Sequence, residues 1–193
     1  MSGARVILIC CEGKETEPQY FEAIKNQYRI SQGLAEVKIV GDLGQHEKLI
    51  DQSIAHRNEL ARQRNLDLDD IEVWAVCDKD SMSNTYEDLL AYATKFGVNL
   101  AFCNPAFEIY LLQHFGYSAS NATGRVLEAL LTKKIGKVYD KTDISWFAEM
   151  IYQKPKSLEG VIAQCNNLSD PSATPLITVH LLVRRLLEAA PKT

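Results

Sequence analysis

The sequence predicts an α/β protein whose central sheet is mostly parallel. Strand-like and helix-like segments alternate through the first 118 of its 193 residues, which is typical of a parallel sheet layered with helices. The two strongest strand candidates, residues 5–11 and 71–77, are apolar at consecutive positions, as expected when both faces of a strand are buried. The composition, 46% hydrophobic and 24% charged, is that of an ordinary globular protein.

The elements of this layer are predicted in order along the chain. Residues 5–11 form the first strand, and Thr16 is expected to cap a helix that has Pro18 in its first turn. Val37 and Ile39 alternate with polar neighbours, which indicates a shorter strand near an edge of the sheet. The remaining elements are a polar helix over 46–64, a buried strand at 71–77, a helix that ends at Gly97, a strand at 98–103 and a helix after Asn104-Pro105.

Beyond residue 120 the pattern changes to helices without a clear strand. The predicted helices cover residues 121–135, 143–153, 156–168 and 177–189. We therefore expect residues 1–118 to form the α/β core and residues 119–193 to form a helical extension packed on it. The chain is long enough for one full domain and too short for two large ones, so we expect a single compact domain overall.

Charge and cysteine content limit the possible functions. The net charge of −4 counts against a passive nucleic-acid-binding module, which usually carries an excess of Lys and Arg. It counts less against a nuclease, whose catalytic carboxylates lower the net charge. The five cysteines form no C-x-x-C pair, which favours buried reduced thiols over a zinc site. With no signal-peptide core or membrane-length apolar stretch, we expect a cytoplasmic protein that makes no membrane contact.

Acidic residues follow two of the predicted strands at the point where each strand ends. Glu12 and Glu17 follow the first strand, and Asp78 and Asp80 follow the strand at 71–77. Ligands of an open parallel sheet bind beyond the carboxyl ends of its strands. Carboxylates that converge there repel one another unless a cation neutralises them, and hard cations such as Mg²⁺ prefer oxygen ligands. The pattern therefore predicts a divalent-metal site, and such a site suggests phosphate chemistry.

Further residues are candidates for supporting roles. Glu108 borders a predicted buried helix face, so it needs a partner, which a metal, a lysine or the helix N-terminus would supply. Lys14, Lys79 and Lys156 are candidates to stabilise a phosphoryl transition state, although most surface lysines have no such role. Among the histidines, His180 on the last predicted helix is the best candidate for a functional side chain.

The acidic motifs also have structural explanations, and missing motifs argue against several enzyme classes. Glu12 and Glu17 also fit solvated loop acids, with Glu17 favoured by the helix dipole, while Asp78 and Asp80 also fit a helix cap or turn. No Walker A loop, G-x-G-x-x-G or G-x-S-x-G is present, which argues against P-loop, dinucleotide-binding and α/β-hydrolase proteins. A phosphatase with an Asp nucleophile would carry its Asp-x-Asp after the first strand.

Three motifs occur together along the chain. They are Glu12-Gly13-x-x-Thr16-Glu17-x-x-Tyr20-Phe21, then Asp78-Lys79-Asp80, then Asn104-Pro105-x-Phe107-Glu108-x-Tyr110-Leu111-Leu112-x-His114-Phe115. In this order they resemble the RloB family, which is related to the abortive-infection protein AbiLii, and the resemblance covers essentially the whole chain. The Glu-Gly and Asp-x-Asp motifs also resemble the Toprim catalytic core of topoisomerases, primases and related nucleases.

The resemblance implies a Toprim-like, Rossmann-like fold and a nuclease that acts in bacterial antiviral defence. We expect Mg²⁺- or Mn²⁺-dependent hydrolysis of DNA or RNA, including transfer RNA, beside a partner AAA-type ATPase of the RloA or AbiLi kind. Asp78 and Asp80 would hold a metal, and Glu12 would ligate it or act as general base. Glu17 and Glu108 would complete that site or add a second metal position.

The resemblance also bears on the lysine-rich stretch and on a C-terminal motif, and a second function remains as an alternative. The lysine-rich stretch from Lys133 through Lys134 and Lys137 to residue 141 would contact the nucleic-acid backbone. The family's C-terminal Asn-Pro-Ser-Thr-Thr-Val-His motif is interrupted here, which leaves the roles of Ser172 and His180 open. The alternative is a regulatory or interaction module of the same shape with weak or no catalysis, motivated by the negative charge and the helical last third.

Overall fold

A four-stranded parallel sheet forms the centre of the molecule. The computed structural model describes residues 6–80, 82–117, 122–154 and 157–191. The strands are β1 (Val6–Cys11), β2 (Glu36–Val40), β3 (Ile71–Asp78) and β4 (Val98–Cys103). Their order is β2-β1-β3-β4, and each neighbouring pair is parallel. The predicted α/β class is confirmed, and the arrangement is consistent with a Rossmann-like or Toprim-like sheet, with β2 at an edge as expected.

Helices cover both faces of the sheet. One face carries α2 (His46–Arg64) and α3 (Tyr86–Lys95). The other carries α1 (Thr16–Gln27), α4 (Phe107–Gln113), α5 (Gly124–Ile135), α6 (Ser145–Gln153), α7 (Ser157–Cys165) and α8 (Val179–Ala189). Short 3₁₀ helices span Ile30–Gln32, Leu68–Asp70 and Asn166–Leu168. In the described residues, no helix has the length and apolar character needed to cross a membrane.

The predicted helices of the last third are confirmed, with boundaries that differ by a few residues. The hydrophobic core on their face of the sheet draws on residues from both sides of the proposed boundary at residue 118, for example Phe107 and Phe147. The division into residues 1–118 and 119–193 stays a prediction.

The strands are buried on both faces because successive side chains point to opposite sides of the sheet. In β1, Ile7 and Ile9 pack against the α1 side, whereas Val6 and Leu8 pack against the α2 side. Burying each such side chain contributes about 1.5–3 kcal/mol. Two-sided burial explains why the strand is apolar at consecutive positions instead of alternating with polar residues.

The chain order creates a topological switch point between β1 and β3. The chain leaves β1 to form β2 on one side and later returns to form β3 on the other side. Connections diverge there, and a crevice opens beyond the carboxyl ends of these two strands. Glu12 directly follows β1, and its backbone N–H donates to the Val76 carbonyl oxygen at 2.9 Å. Asp78 is the last residue of β3.

The predicted cap of α1 is wrong. Thr16 is already the first helical residue, the N-cap is Glu15, and no side-chain cap hydrogen bond forms. The Thr16 hydroxyl instead donates to the carbonyl oxygen of Lys141 at 2.8 Å, a contact between residues 125 apart in sequence. The Thr16 hydroxyl, which the local sequence predicts to cap α1, therefore binds the distant Lys141 carbonyl oxygen instead.

The outer edge of β4 is covered by the extended segment before α8. The Thr178 N–H donates to the Phe102 carbonyl oxygen at 2.8 Å. The buried Thr178 hydroxyl accepts from the Phe102 N–H at 2.8 Å and donates to the Leu100 carbonyl oxygen at 3.3 Å. Because an unpaired strand edge is a template for aggregation, this cover satisfies backbone groups that would otherwise be open to another chain.

Removing the Thr178 hydroxyl should destabilise the fold. Thr178→Val keeps the side-chain shape but leaves the Phe102 N–H without its partner, which costs about 1–3 kcal/mol. Urea denaturation would measure the loss. Thr178→Ser is the matched control, because it keeps the hydroxyl and loses one methyl group, worth about 0.8 kcal/mol. A Ser variant as unstable as the Val variant would show that the hydroxyl contributes nothing.

Candidate functional site

Five carboxylates line a pocket of about 300 Å³ at the switch point, and four of them, all but Glu15, are acids that the sequence singled out. Glu12 follows β1, Glu17 lies in the first turn of α1, Asp78 ends β3 and Glu108 lies in the first turn of α4. We call this cavity the acid pocket. The structure thus brings together four of the five acids that the sequence singled out. The fifth, Asp80, lines the neighbouring cleft.

Burial and mutual repulsion raise the pKa of Glu12, Glu17 and Asp78. Burial is the largest cause at Glu12, where it and the charge of Asp78 raise the pKa to about 7. Burial also raises the pKa of Glu17 to about 7, and the charges of Asp78 and Glu108 add to this. The pKa of Asp78 is raised, first by burial and then by the neighbouring carboxylates. Near neutral pH the acid pocket therefore binds protons or requires positive charge.

Backbone groups fix the orientation of the Asp78 carboxylate. Its Oδ1 accepts a hydrogen bond from the Asp80 N–H at 3.0 Å. The Phe107 N–H, at the start of α4, also hydrogen-bonds to this carboxylate. These bonds stabilise the ionised form and so offset part of the rise in its pKa. Asp78 is consequently positioned by both the loop after β3 and the start of α4.

Glu12 has a carboxylate oxygen that a cation would satisfy. Its Oε2 is buried without a hydrogen-bond partner within the part of the chain that the structure describes. A buried oxygen without a partner is costly, and Mg²⁺ and Mn²⁺ prefer oxygen ligands. The donor set therefore fits such an ion. Among the described residues, however, no three Asp, Glu, His or Cys side chains already form a group that could hold a metal.

Lys141 supplies positive charge to the acid pocket. Its Nζ lies 3.2 Å from Glu108 Oε1 and 3.1 Å from Glu128 Oε1. The Tyr139 hydroxyl also donates to Glu108 Oε1, at 3.2 Å. Glu108 is only 3% exposed, so it needs such partners. Of the partners expected for Glu108, the structure thus places a lysine beside it.

The loop that carries Lys141 is fastened to α1. The Thr16 hydroxyl donates to the Lys141 carbonyl oxygen at 2.8 Å, and Gln19 Nε2 donates to the Thr142 carbonyl oxygen at 2.9 Å. Both contacts join distant parts of the sequence, so no local motif indicates them. The sequence predicted the lysine-rich stretch as a nucleic-acid contact, and it missed the contact of Lys141 with the acid pocket.

The other predicted lysines differ in their position relative to the acid pocket. Lys14 lines the acid pocket and is exposed. Lys133, Lys134 and Lys137 are exposed and line neither the acid pocket nor the neighbouring cleft. Lys156 lies outside the described residues. Their proposed contacts with nucleic acid or with a transition state stay predictions.

Two residues of the interrupted C-terminal motif also lie apart from the carboxylates. His180 is fully buried in α8, and burial, followed by the charge of Arg184, lowers its pKa to about 4. Ser172 lies in a turn where its backbone N–H donates to Asp170 Oδ1 at 2.8 Å. Neither residue lines the acid pocket or the cleft beside it. A functional role for either one stays a prediction.

A wider cleft of about 930 Å³ adjoins the acid pocket. The two share Asp78 and Lys141, so they meet at these side chains. Asp80, Lys79 and Arg125 also line this cleft. The site thus consists of a small recess rich in carboxylates and a larger opening that carries both charges.

The fold and the site together define an α/β protein with a carboxylate-lined pocket at the switch point of a parallel sheet. A family model described as RloB-like protein matches residues 7–186, and the chain belongs to this family. The resemblance predicted from the three motifs is confirmed, and it is consistent with a protein related to abortive infection. Searches of curated proteins and of solved structures found no significant match. A Toprim core stays a prediction.

The raised pKa values of Glu12 and Glu17 predict that stability falls as pH rises. Between the ordinary value of 4.5 and about 7, the folded protein binds more protons at these groups than the unfolded chain does. Each pKa unit corresponds to about 1.4 kcal/mol, and partial exposure and coupling reduce the sum. We expect a loss on the order of 1–3 kcal/mol between about pH 5 and pH 8, measured by urea denaturation across this range.

A double variant isolates this contribution from other titrating groups. Glu12→Gln with Glu17→Gln removes both titrations, so its stability should fall less with pH than that of the wild type. Glu149→Gln, on an exposed site of α6, should leave the wild-type dependence unchanged. Equal pH dependence in the wild type and the double variant would contradict the raised pKa values.

Loss of the Lys141 ammonium should destabilise the protein. Lys141→Met leaves Glu108 buried without its cation. Because the Lys141 side chain is 57% exposed, we expect a loss of about 1–2 kcal/mol instead of the larger cost of a fully buried pair. Thermal or urea denaturation measures it, with Lys133→Met on the exposed side of α5 as control. Equal effects in the two variants would mean that the pairing adds no stability.

Proposed function

We propose that this protein is a divalent-metal-dependent nuclease that hydrolyses phosphodiester bonds in DNA or RNA, including transfer RNA. The observation that carries the proposal is the acid pocket, where burial and neighbouring charge raise the pKa of Glu12 and Glu17 to about 7. A bound Mg²⁺ or Mn²⁺ would relieve this repulsion. Membership of the RloB-like family supports a role as the effector of an antiviral, abortive-infection system.

Some of the carboxylates would ligate the metal, and one would transfer a proton. A metal ion would supply the Lewis acid that activates water and neutralises charge on the scissile phosphate. Asp78 and Asp80 would hold it, joined by Glu17 or by Glu108. Glu12, whose pKa burial raises, would accept a proton from the attacking water.

Lys141 is a better candidate than Lys14 for the phosphate contact. Its backbone is held by the Thr16 hydroxyl at 2.8 Å, and its ammonium lies at the junction of the acid pocket and the cleft. A positioned cation of this kind stabilises negative charge that develops on a phosphoryl oxygen. Lys14 remains a candidate because it also lines the acid pocket.

The proposal extends to a partner and a compartment. We propose that an AAA-type ATPase of the RloA or AbiLi kind holds or triggers the nuclease, and the support for this is the family alone. All five cysteines are unpaired and buried, which supports a reducing compartment such as the cytoplasm.

A second candidate function is a regulatory or interaction module without catalysis. It is favoured by the absence, among the described residues, of three side chains grouped to hold a metal. In this case Lys141 would serve as the permanent counter-ion of Glu108, from which its Nζ lies 3.2 Å away. The two candidates differ in whether a divalent cation binds.

Cleavage assays with matched variants test the nuclease proposal. We expect Mg²⁺- or Mn²⁺-dependent cleavage of at least one substrate in panels of DNA, RNA and transfer RNA, tested alone and with the partner ATPase. Asp78→Asn should lower the rate at least about 100-fold. Asp69→Asn is the control, because Asp69 is exposed and precedes β3 at the opposite end of the same strand. Cleavage that survives Asp78→Asn would be due to a contaminant or another site.

Calorimetry with Mn²⁺ separates the two candidate functions. The nuclease proposal predicts binding to the wild-type protein and to Asp69→Asn, with weaker binding to Asp78→Asn. Absence of binding, together with absence of cleavage in every panel, would overturn the nuclease and favour the module.

A further inference from the structure

Two of the cations that line the cleft beside the acid pocket have no partner among the described residues. Lys79 and Arg125 both line it, and within the described residues neither side chain makes an ion pair or a hydrogen bond. Lys141, which is paired with Glu108 and Glu128, adds a third cation at the border with the acid pocket. Cations that face a shared opening without partners raise the local concentration of anionic ligands.

A bound metal or a lysine would neutralise each of the acids that line the cleft. Asp78 lines both the cleft and the acid pocket, and Asp80 lies two residues further along the chain, so the proposed metal would neutralise both. Glu128 is paired with Lys141 at 3.1 Å. With a divalent cation in place, the remaining charge of the cleft is therefore positive. Binding of an anionic ligand in the cleft should thus depend on the cation.

The shape of the site favours a flexible strand over a regular duplex. The cleft volume of about 930 Å³ is near the upper end of the range of about 300–1,000 Å³ for small-ligand pockets, which is room for a few nucleotides. The carboxylates are recessed, because Glu17 is 8% and Glu108 is 3% exposed. A single strand can bend a phosphate into such a recess, whereas a duplex would first have to unpair.

Apolar side chains supply surface for the bases. Pro105, Ala106, Ala122 and Pro175 line the cleft, and no aromatic side chain is among the described residues that do so. Such a surface contacts base or sugar without directional hydrogen bonds, so it gives little discrimination between sequences.

We propose that this cleft binds a few nucleotides of single-stranded nucleic acid that flank the scissile phosphate. Arg125 and Lys79 contact backbone phosphates, and the apolar wall receives the bases. The identity of the ligand rests on the proposed nuclease function. The strand passes the junction at Asp78 and Lys141, where one phosphate enters the acid pocket.

Fluorescence anisotropy with labelled oligonucleotides tests the cleft directly. The probes are single strands of DNA and RNA of about 12 nucleotides and a hairpin duplex with the same number of phosphates, in Ca²⁺, with probe integrity checked on gels. We expect single strands to bind at least about 10-fold more tightly than the hairpin. Removal of the cation with a chelator should weaken binding.

Charge-reversal variants locate the contact. Arg125→Glu and Lys79→Glu should each weaken single-strand binding at least about 10-fold and reduce the slope of log affinity against log salt by about 0.7 or more. Arg62→Glu is the matched control, because Arg62 is exposed on α2, pairs with Glu59 in its own helix and does not line the cleft. Circular dichroism and thermal melting confirm that each variant is folded.

The outcomes separate this proposal from the nuclease proposal. Equal binding of single strand and hairpin, or variants at Arg125 and Lys79 that bind like Arg62→Glu, would overturn the cleft assignment even if Asp78-dependent cleavage is observed. Competition by a free mononucleotide as effective as that by the strand would also overturn it, in favour of a nucleotide pocket. Binding with the expected variant effects but without cleavage would support the cleft and contradict the nuclease.

Discussion

Repulsion among four carboxylates at one edge of the sheet is the constraint on which the site depends. β1 and β3 are neighbours with parallel directions, so Glu12 and Asp78 must leave the sheet close together. Two helix starts add Glu17 and Glu108 to the same recess. Burial strengthens the repulsion because the local dielectric constant is lower than that of water. The surrounding structure is consequently organised to supply positive charge and hydrogen-bond donors at this point.

The last third of the chain supplies much of that compensation. Lys141 and Tyr139, in the loop after α5, both contact Glu108. The same loop is held against α1 by Thr16 and Gln19. The last third is therefore more than a cover for the sheet, because it provides the Lys141 and Tyr139 contacts of the buried Glu108 carboxylate.

The parts of the site that could be predicted are those governed by strand order. Consecutive apolar residues indicate a buried strand, and the carboxyl ends of parallel strands lie at the same edge of the sheet. The sequence was therefore sufficient to place Glu12 and Asp78 close together. The role of Lys141 could not be predicted from sequence, because it depends on a contact across 125 residues that uses Thr16, a residue with an equally good local role as a helix cap. Such a choice between local and distant partners is decided by tertiary packing.

The lysine-rich stretch gave no indication in the sequence that one of its members, Lys141, reaches the acid pocket. Lys133 and Lys134 lie in the last turn of α5, where positive charge favourably opposes the helix dipole. Lys137 lies 3.7 Å from Asp143. These positions have structural explanations that a count of lysines does not reveal. Lys133 and Lys134 lie within α5, whereas Lys141 lies beyond the end of this helix at Gly136.

The shared lining of the acid pocket and the cleft has a thermodynamic consequence. A cation that binds Glu108 would compete with Lys141 for that carboxylate, and the released ammonium would then face the cleft. Cation and anion binding would thus be linked, and linkage is reciprocal, so a ligand in the cleft would raise the affinity for the cation by the same factor. Occupation of both places together would be more favourable than the sum of the separate events, which couples filling of the cleft to assembly of the charged centre.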